Sequence, residues 1–198
     1  MLRSMEKGDS SNLLEIRMTN HTGTHVDAPR HFDVKGKSIT DFPANFWDFS
    51  NVGVAFLPRC PEPGELIDSS MLDGASRELT SGIEALILNT GWHTLRETGN
   101  YAICGPGIHS SVADFLRQRF PKLRLLGFDM ISLSSFAHRE AGRESHRSFL
   151  CHTNPILIVE DMNLHELHRR RTLHRLLVSP LFIEDADGSP CTIWGELS

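Results

Sequence analysis

The stretch "NHTGTHVDAPRHF", residues 20–32, sets His21, His25, Asp27 and His31 at odd positions around a Gly-Thr step and a proline. Imidazole and carboxylate are ligands for zinc and manganese. An imidazole, with an ordinary pKa of about 6.5, also moves protons near neutral pH. A helix would stack His21 on His25 but turn Asp27 away from that face. Gly23 and Pro29 also disfavour a helix interior. In extended chain, side chains repeat every two residues and all four groups fall on one side. Gly23 then lets the backbone bend or approach a ligand, and Pro29 fixes a turn before His31. Two histidines and an aspartate leave an open position, as a catalytic metal requires, and His31 beyond them suits a general acid/base. The competing reading is an exposed histidine-rich loop, against which four groups in phase weigh.

One segment rarely completes a metal site. The second cluster lies in "ESHRSFLCHTNPILIVEDMNL", where His146 and His152 precede an apolar strand that ends in Glu160 and Asp161. Glu160 leaves the carboxyl end of that strand, either into a site or onto the surface.

The elements that must position these groups follow from periodicity and punctuation. Residues 13–20 alternate weakly and predict a strand running into the motif. Further strands are predicted over 52–58, 84–92, 123–134 and 154–164, with two more around an Ala186-Asp187-Gly188 turn within 176–197. Residues 67–79 predict a short helix. Residues 109–121 predict the clearest one, with Ser110 or Ser111 as cap and Pro121 as stop. A helix is also expected to end near Leu150. No repeat, low-complexity segment or linker interrupts the 198 residues, so the expectation is one mixed α/β domain over 1–198.

Composition narrows the function classes. A net charge of −5 argues against bulk attraction to nucleic acid or anionic membrane. No apolar run approaches a transmembrane length, and the start lacks a signal-peptide core, which predicts a cytoplasmic protein. Cys60, Cys104, Cys151 and Cys191 are widely spaced, as expected of reduced thiols. The basic run "HELHRRRTLHR" (165–175) lacks the interleaved aromatics of a single-strand binder, so a solvated helix face or an oligomer contact is expected there. Cys104 and Cys151 read as packing rather than nucleophiles. "CGPGIH" is no nucleotide fingerprint.

"HTGTHVDAPRHF" fits the pattern HxGTHxDxPxH at every fixed position. By that motif the chain resembles the cyclase family of metal-dependent hydrolases, which includes bacterial kynurenine formamidases. The resemblance continues through "LILNTGW", "GPGIHSSVADFL", "LLGFDMISL" and "SHRSFL…ILIVEDMNL", from about residue 12 to residue 164. It implies a swivelling β/β/α fold, a strand-rich mixed sheet with flanking helices, assembled as a homodimer or homotetramer. It implies one or two Zn²⁺ ions, or Mn²⁺ in some members, held by His21, His25, Asp27, His146 and Glu160, with Asp27 able to bridge and His31 transferring protons. The implied reaction is hydrolysis of a carbon–nitrogen bond in a small-molecule amide, N-formylkynurenine giving kynurenine and formate. Hydrolysis of a cyclic, isatin-like amide is the alternative within the enzymes. A non-catalytic small-molecule or metal-binding protein of the same fold is the alternative outside them. Two departures stand out. The stretch from His146 to Glu160 is longer than in formamidases of the family, near "CHTNP", which keeps His152 as a rival to His146. Family members also carry a further N-terminal strand and loop, whereas this chain starts almost at the motif.

Overall fold

The computed structural model describes residues 2–198. Its strands and helices are β1 (His25–Asp27), β2 (Asp48–Phe49), β3 (Val52–Phe56), β4 (Leu66–Ile67), α1 (Ser69–Ser76), β5 (Ala85–Asn89), α2 (Asn100–Ile103), β6 (Gly107–Ile108), α3 (Ser111–Arg119), β7 (Leu125–Phe128), α4 (Arg139–Leu150), β8 (Leu157–Glu160), β9 (Leu173–Pro180) and β10 (Gly188–Leu197). Eight strands form one mixed sheet in the order β2-β9-β10-β1-β8-β7-β5-β3, and β4 pairs with β6 separately.

The parallel half, β3-β5-β7-β8, arises from strand–helix alternation, with α1, α3 and α4 in the connections. Every residue of β5, β7 and β8 is buried, because both faces of this half are covered. Leu86, Leu88, Leu126, Phe128 and Ile158 pack on one face with Val112, Leu116 and Phe149 of the helices. Ala85, Ile87, Leu125, Leu157 and Val159 pack on the other with Val26, Phe49, Leu176 and Val178. The long β9–β10 pair supplies much of that second layer and curls the sheet towards closure. The fold is therefore a mixed α/β one with a strand-rich sheet and flanking helices, as expected.

Some local expectations are corrected. Residues 13–20 form no strand. Their backbone makes one isolated bridge, between Arg3 and Leu13, and Leu14, Ile16 and Met18 face solvent. Weak alternation cannot hold a strand that has no neighbour to bond. The run 165–175 is no helix face either. It forms four-residue turns at Leu164–Leu167 and His168–Arg171 and enters β9 at Leu173. β9 ends at Pro180, so residues 181–187 form a longer connection than a tight turn. Ser110 has helical backbone angles and makes no side-chain cap; the His109 ring accepts the Ser111 N–H instead. The four cysteines are free. Trp92 is buried in the core, and His93 bonds to the buried Asp129. Among the described residues, no helix is long and apolar enough to cross a membrane.

Candidate metal centre

Register builds the site. β1 lies between β10 and β8, antiparallel to both, with His25 opposite Glu160 and Asp27 opposite Ile158. Directly opposed residues share a face. Val26 enters the apolar layer on one side, so His25, Asp27 and Glu160 point to the other, where α4 packs. α4 brings His146 to the same place. His25, Asp27, Glu160 and His146 are each 5% exposed or less.

The remaining motif residues reach the cluster by irregular backbone. Gly23 has φ of +64°, which lets the chain turn so that His21 folds back on Asp27. Pro29 opens a 3-10 turn over Pro29–His31, which swings His31 alongside His21. The extended reading thus holds over β1 alone, although all four groups still converge. His31 lies against Phe32, whose ring stacks on His146 at 4.7 Å between centroids.

The polar distances describe a donor set. His25 Nε2 lies 3.5 Å from Asp27 Oδ1 and 3.4 Å from Glu160 Oε2. His146 Nε2 lies 3.6 Å from Asp27 Oδ2 and 3.4 Å from Glu160 Oε1. These gaps are longer than ordinary charge-assisted hydrogen bonds. They match the separation of about 3.4 Å between two nitrogen or oxygen donors that each lie about 2.1 Å from one tetrahedral zinc. The other ring nitrogens are already engaged. His25 Nδ1 donates to Gly23 O at 2.8 Å, and His146 Nδ1 to Gly142 O at 2.9 Å. In the neutral rings that leaves the lone pair on each Nε2, the form in which imidazole ligates metal. The residues present fit a divalent metal ion, and Asp27, with an oxygen towards each histidine, can serve two.

Glu160 is aimed by the loop after β7: Leu133 N and Ser132 Oγ donate to its Oε1 at 2.7 and 3.2 Å. The next residue, Asp161, has φ of +57° and is held by Tyr101 Oη at 2.5 Å and Arg96 at 2.8 Å. Burial alone would push the His25 imidazole down, but Glu160 and Asp27 outweigh it and raise it from 6.5 to about 9. Burial likewise opposes ionisation of Glu160, yet His146 and His25 hold it well below the usual carboxylate range. Burial, and then the charge of Asp27, pushes the Cys191 thiol up to about 12, which leaves it inert.

All six site residues expected from the sequence meet here. His152 does not: it is exposed, and its ring accepts the Asn154 N–H. One carboxylate was not expected at the site. Asp187, just before β10, contacts both His21 and His31. In the sequence Asp187 precedes a glycine between two strands, a pattern that turn chemistry explains fully, so nothing marked it.

Residues 4–135 match the sequence model of the Cyclase family. The chain is 32% identical over 190 residues to the kynurenine formamidase of Bacillus cereus (strain ATCC 10987 / NRS 248), covering 93% of this chain and 80% of that one. This chain belongs to the cyclase family. A second member, the kynurenine formamidase of Bacillus anthracis, is 31% identical over 195 residues, covering 96% of this chain and 82% of that one. Among solved structures, isatin hydrolase A from Labrenzia aggregata superposes with a TM-score of 0.70 at 23% identity, covering 92% of this chain and 76% of that one. A structure described as a "potential metal-dependent hydrolase with cyclase activity" gives 0.69 at 18% identity, covering 90% and 80%. These last two show that the cyclase-family fold is shared.

Proposed function

We propose that this cyclase-family chain is a metal-dependent hydrolase of amide bonds, of the arylformamidase type, converting N-formylkynurenine to kynurenine and formate. The observation that carries the reading is the buried set of Nε2 and carboxylate atoms spaced 3.4–3.6 Å apart. Kynurenine formamidase relatives at 31–33% identity favour the formamide as substrate. His21, His25, Asp27, His146 and Glu160 would hold the ion, which we take to be zinc. When bound, it supplies a Lewis acid and lowers the pKa of water towards about 7.

The chain's own residues do the rest. Asp27 and Glu160 bring two negative charges into a dry site. Gly23 O and Gly142 O keep His25 and His146 in ligand geometry. His31 takes the proton of the attacking water and delivers it to the amine nitrogen as the C–N bond breaks. Phe32, beside both His31 and His146, is placed to wall the reacting carbonyl from solvent.

Assembly of copies belongs to the same proposal, supported by exposed Leu177, Leu181, Phe182, Ile183 and Trp194 on and beside the β9–β10 pair. Light scattering would read it as a particle of two or four chain masses.

The second enzymatic reading, a cyclic amide hydrolase, is favoured by the isatin hydrolase fold match. The deciding experiment compares N-formylkynurenine with isatin-like amides on zinc-reconstituted protein. Turnover of the formamide at least ten times faster supports the proposal. Preference for the ring substrate replaces it, and hydrolysis of neither refutes both readings.

A further inference from the structure

One carboxylate oxygen ties both ends of the opening motif together. Asp187 Oδ2 accepts from His31 Nδ1 at 2.7 Å and from His21 Nε2 at 3.1 Å, while its Oδ1 accepts from Asn20 Nδ2 at 2.6 Å. The two imidazoles sit 4.2 Å apart between centroids. An ionised carboxylate only accepts, so each ring must present an N–H to it.

The backbone places that oxygen. Asp187 O accepts from Ala28 N, and Gly188 pairs with Asp27 in the β1–β10 ladder. A Cβ at Gly188 would overlap the His21 ring, so only glycine lets the imidazole lie against the start of β10. With its proton committed to Asp187, neutral His31 has its basic lone pair on Nε2. Asp27 likewise only accepts, so in the metal-free site His21 presents an N–H to each carboxylate, from Nε2 to Asp187 and from Nδ1 to Asp27 Oδ1 at 2.9 Å, and a bound metal would take the place of the Nδ1 proton.

We propose that Asp187 is a positioning residue for the hydrolytic reaction: it fixes His31 as the Nδ1–H tautomer with Nε2 as the base, and it holds His21 against Asp27. One side chain thereby couples the proton carrier to the metal cluster. The inference rests on the hydrolase reading of the site.

The test uses Asp187→Ala, Asp187→Glu and, as a control in the same loop, Asp185→Asn. Three quantities are read on zinc-loaded protein: kcat and KM, zinc affinity by competitive dye titration, and the His31 tautomer by long-range ¹H–¹⁵N NMR. Asp187→Ala should lower kcat about 100-fold at saturating zinc, with KM changed less than about threefold. Zinc affinity should fall about tenfold, and His31 should lose its Nδ1–H signature. Asp187→Glu should restore part of kcat, and Asp185→Asn should match wild type throughout. The proposal is overturned if Asp187→Ala keeps the His31 tautomer, or if saturating zinc restores its kcat to within about threefold of wild type. A wild type that hydrolyses no amide refutes the hydrolase reading instead, and the NMR and zinc arms then still decide what Asp187 does.

Discussion

At the scale of residues, the cluster separates two duties that four similar side chains share. His25 and Asp27 sit in a regular strand with their donor atoms turned inward, so their loss should remove the ion. His25→Ala and Asp27→Ala proteins are expected to bind less than a tenth of the zinc of wild type by elemental analysis. His31→Ala should keep its zinc and lose about 100- to 10,000-fold in kcat, and unchanged turnover would remove His31 as the proton carrier. Protonation gives a second handle. In metal-free protein the carboxylates hold His25 at about 9 against an ordinary 6.5, so it is charged at pH 7. Ligation needs the neutral ring, and zinc binding at pH 7 should therefore release protons, read by calorimetry in buffers of different ionisation enthalpy. The sign for stability is the reverse of a carboxylate's. The contribution of His25 to metal-free stability is complete below about 6.5 and is lost as pH rises through about 9.

At the scale of elements, α4 must hold His146 where β1 and β8 meet. Arg117 of α3 clamps its end: its guanidinium donates to Ser148 O and Phe149 O at 2.7 and 3.0 Å and to Asn154 O at 3.2 Å. Ser148 O and Phe149 O are carbonyls that the last helical turn leaves unbonded. Arg117→Ala is expected to cost about 2 kcal/mol in urea unfolding and to weaken zinc binding through α4. A loss of stability with zinc affinity unchanged would uncouple the clamp from the site. Which elements were legible follows from what positions them. The parallel strands and three of the helices stood out because two-sided burial and helical spacing write themselves into local sequence. The motif was legible because a strand's period of two aligned His25 with Asp27. Residues 13–20 misled, since alternation describes a face and says nothing of a neighbour to bond. Asp187 was hidden for a related reason: its role comes from β1–β10 pairing, and its local sequence is that of any turn.

At the scale of the whole molecule, the sheet joins distant parts of the chain through one of its shortest strands. β1 has three residues, yet it is the seam between the parallel half and the β9–β10 pair. The residues just before it reach far along the chain: Thr24 bonds Asp161 across 137 residues, and His21 bonds Asp187 across 166. Such closures come late in folding, because the chain entropy they cost is recovered only after local structure has formed. During synthesis the ligand-bearing motif thus emerges before the strands it pairs with and matures only once β8 and β10 have arrived. In refolding from urea, zinc capture followed with a fluorescent indicator should lag behind the recovery of helical circular dichroism. Zinc uptake in the earliest phase would mean that the motif assembles before its distant partners do. An unfinished chain therefore offers no complete set of donors for a metal ion.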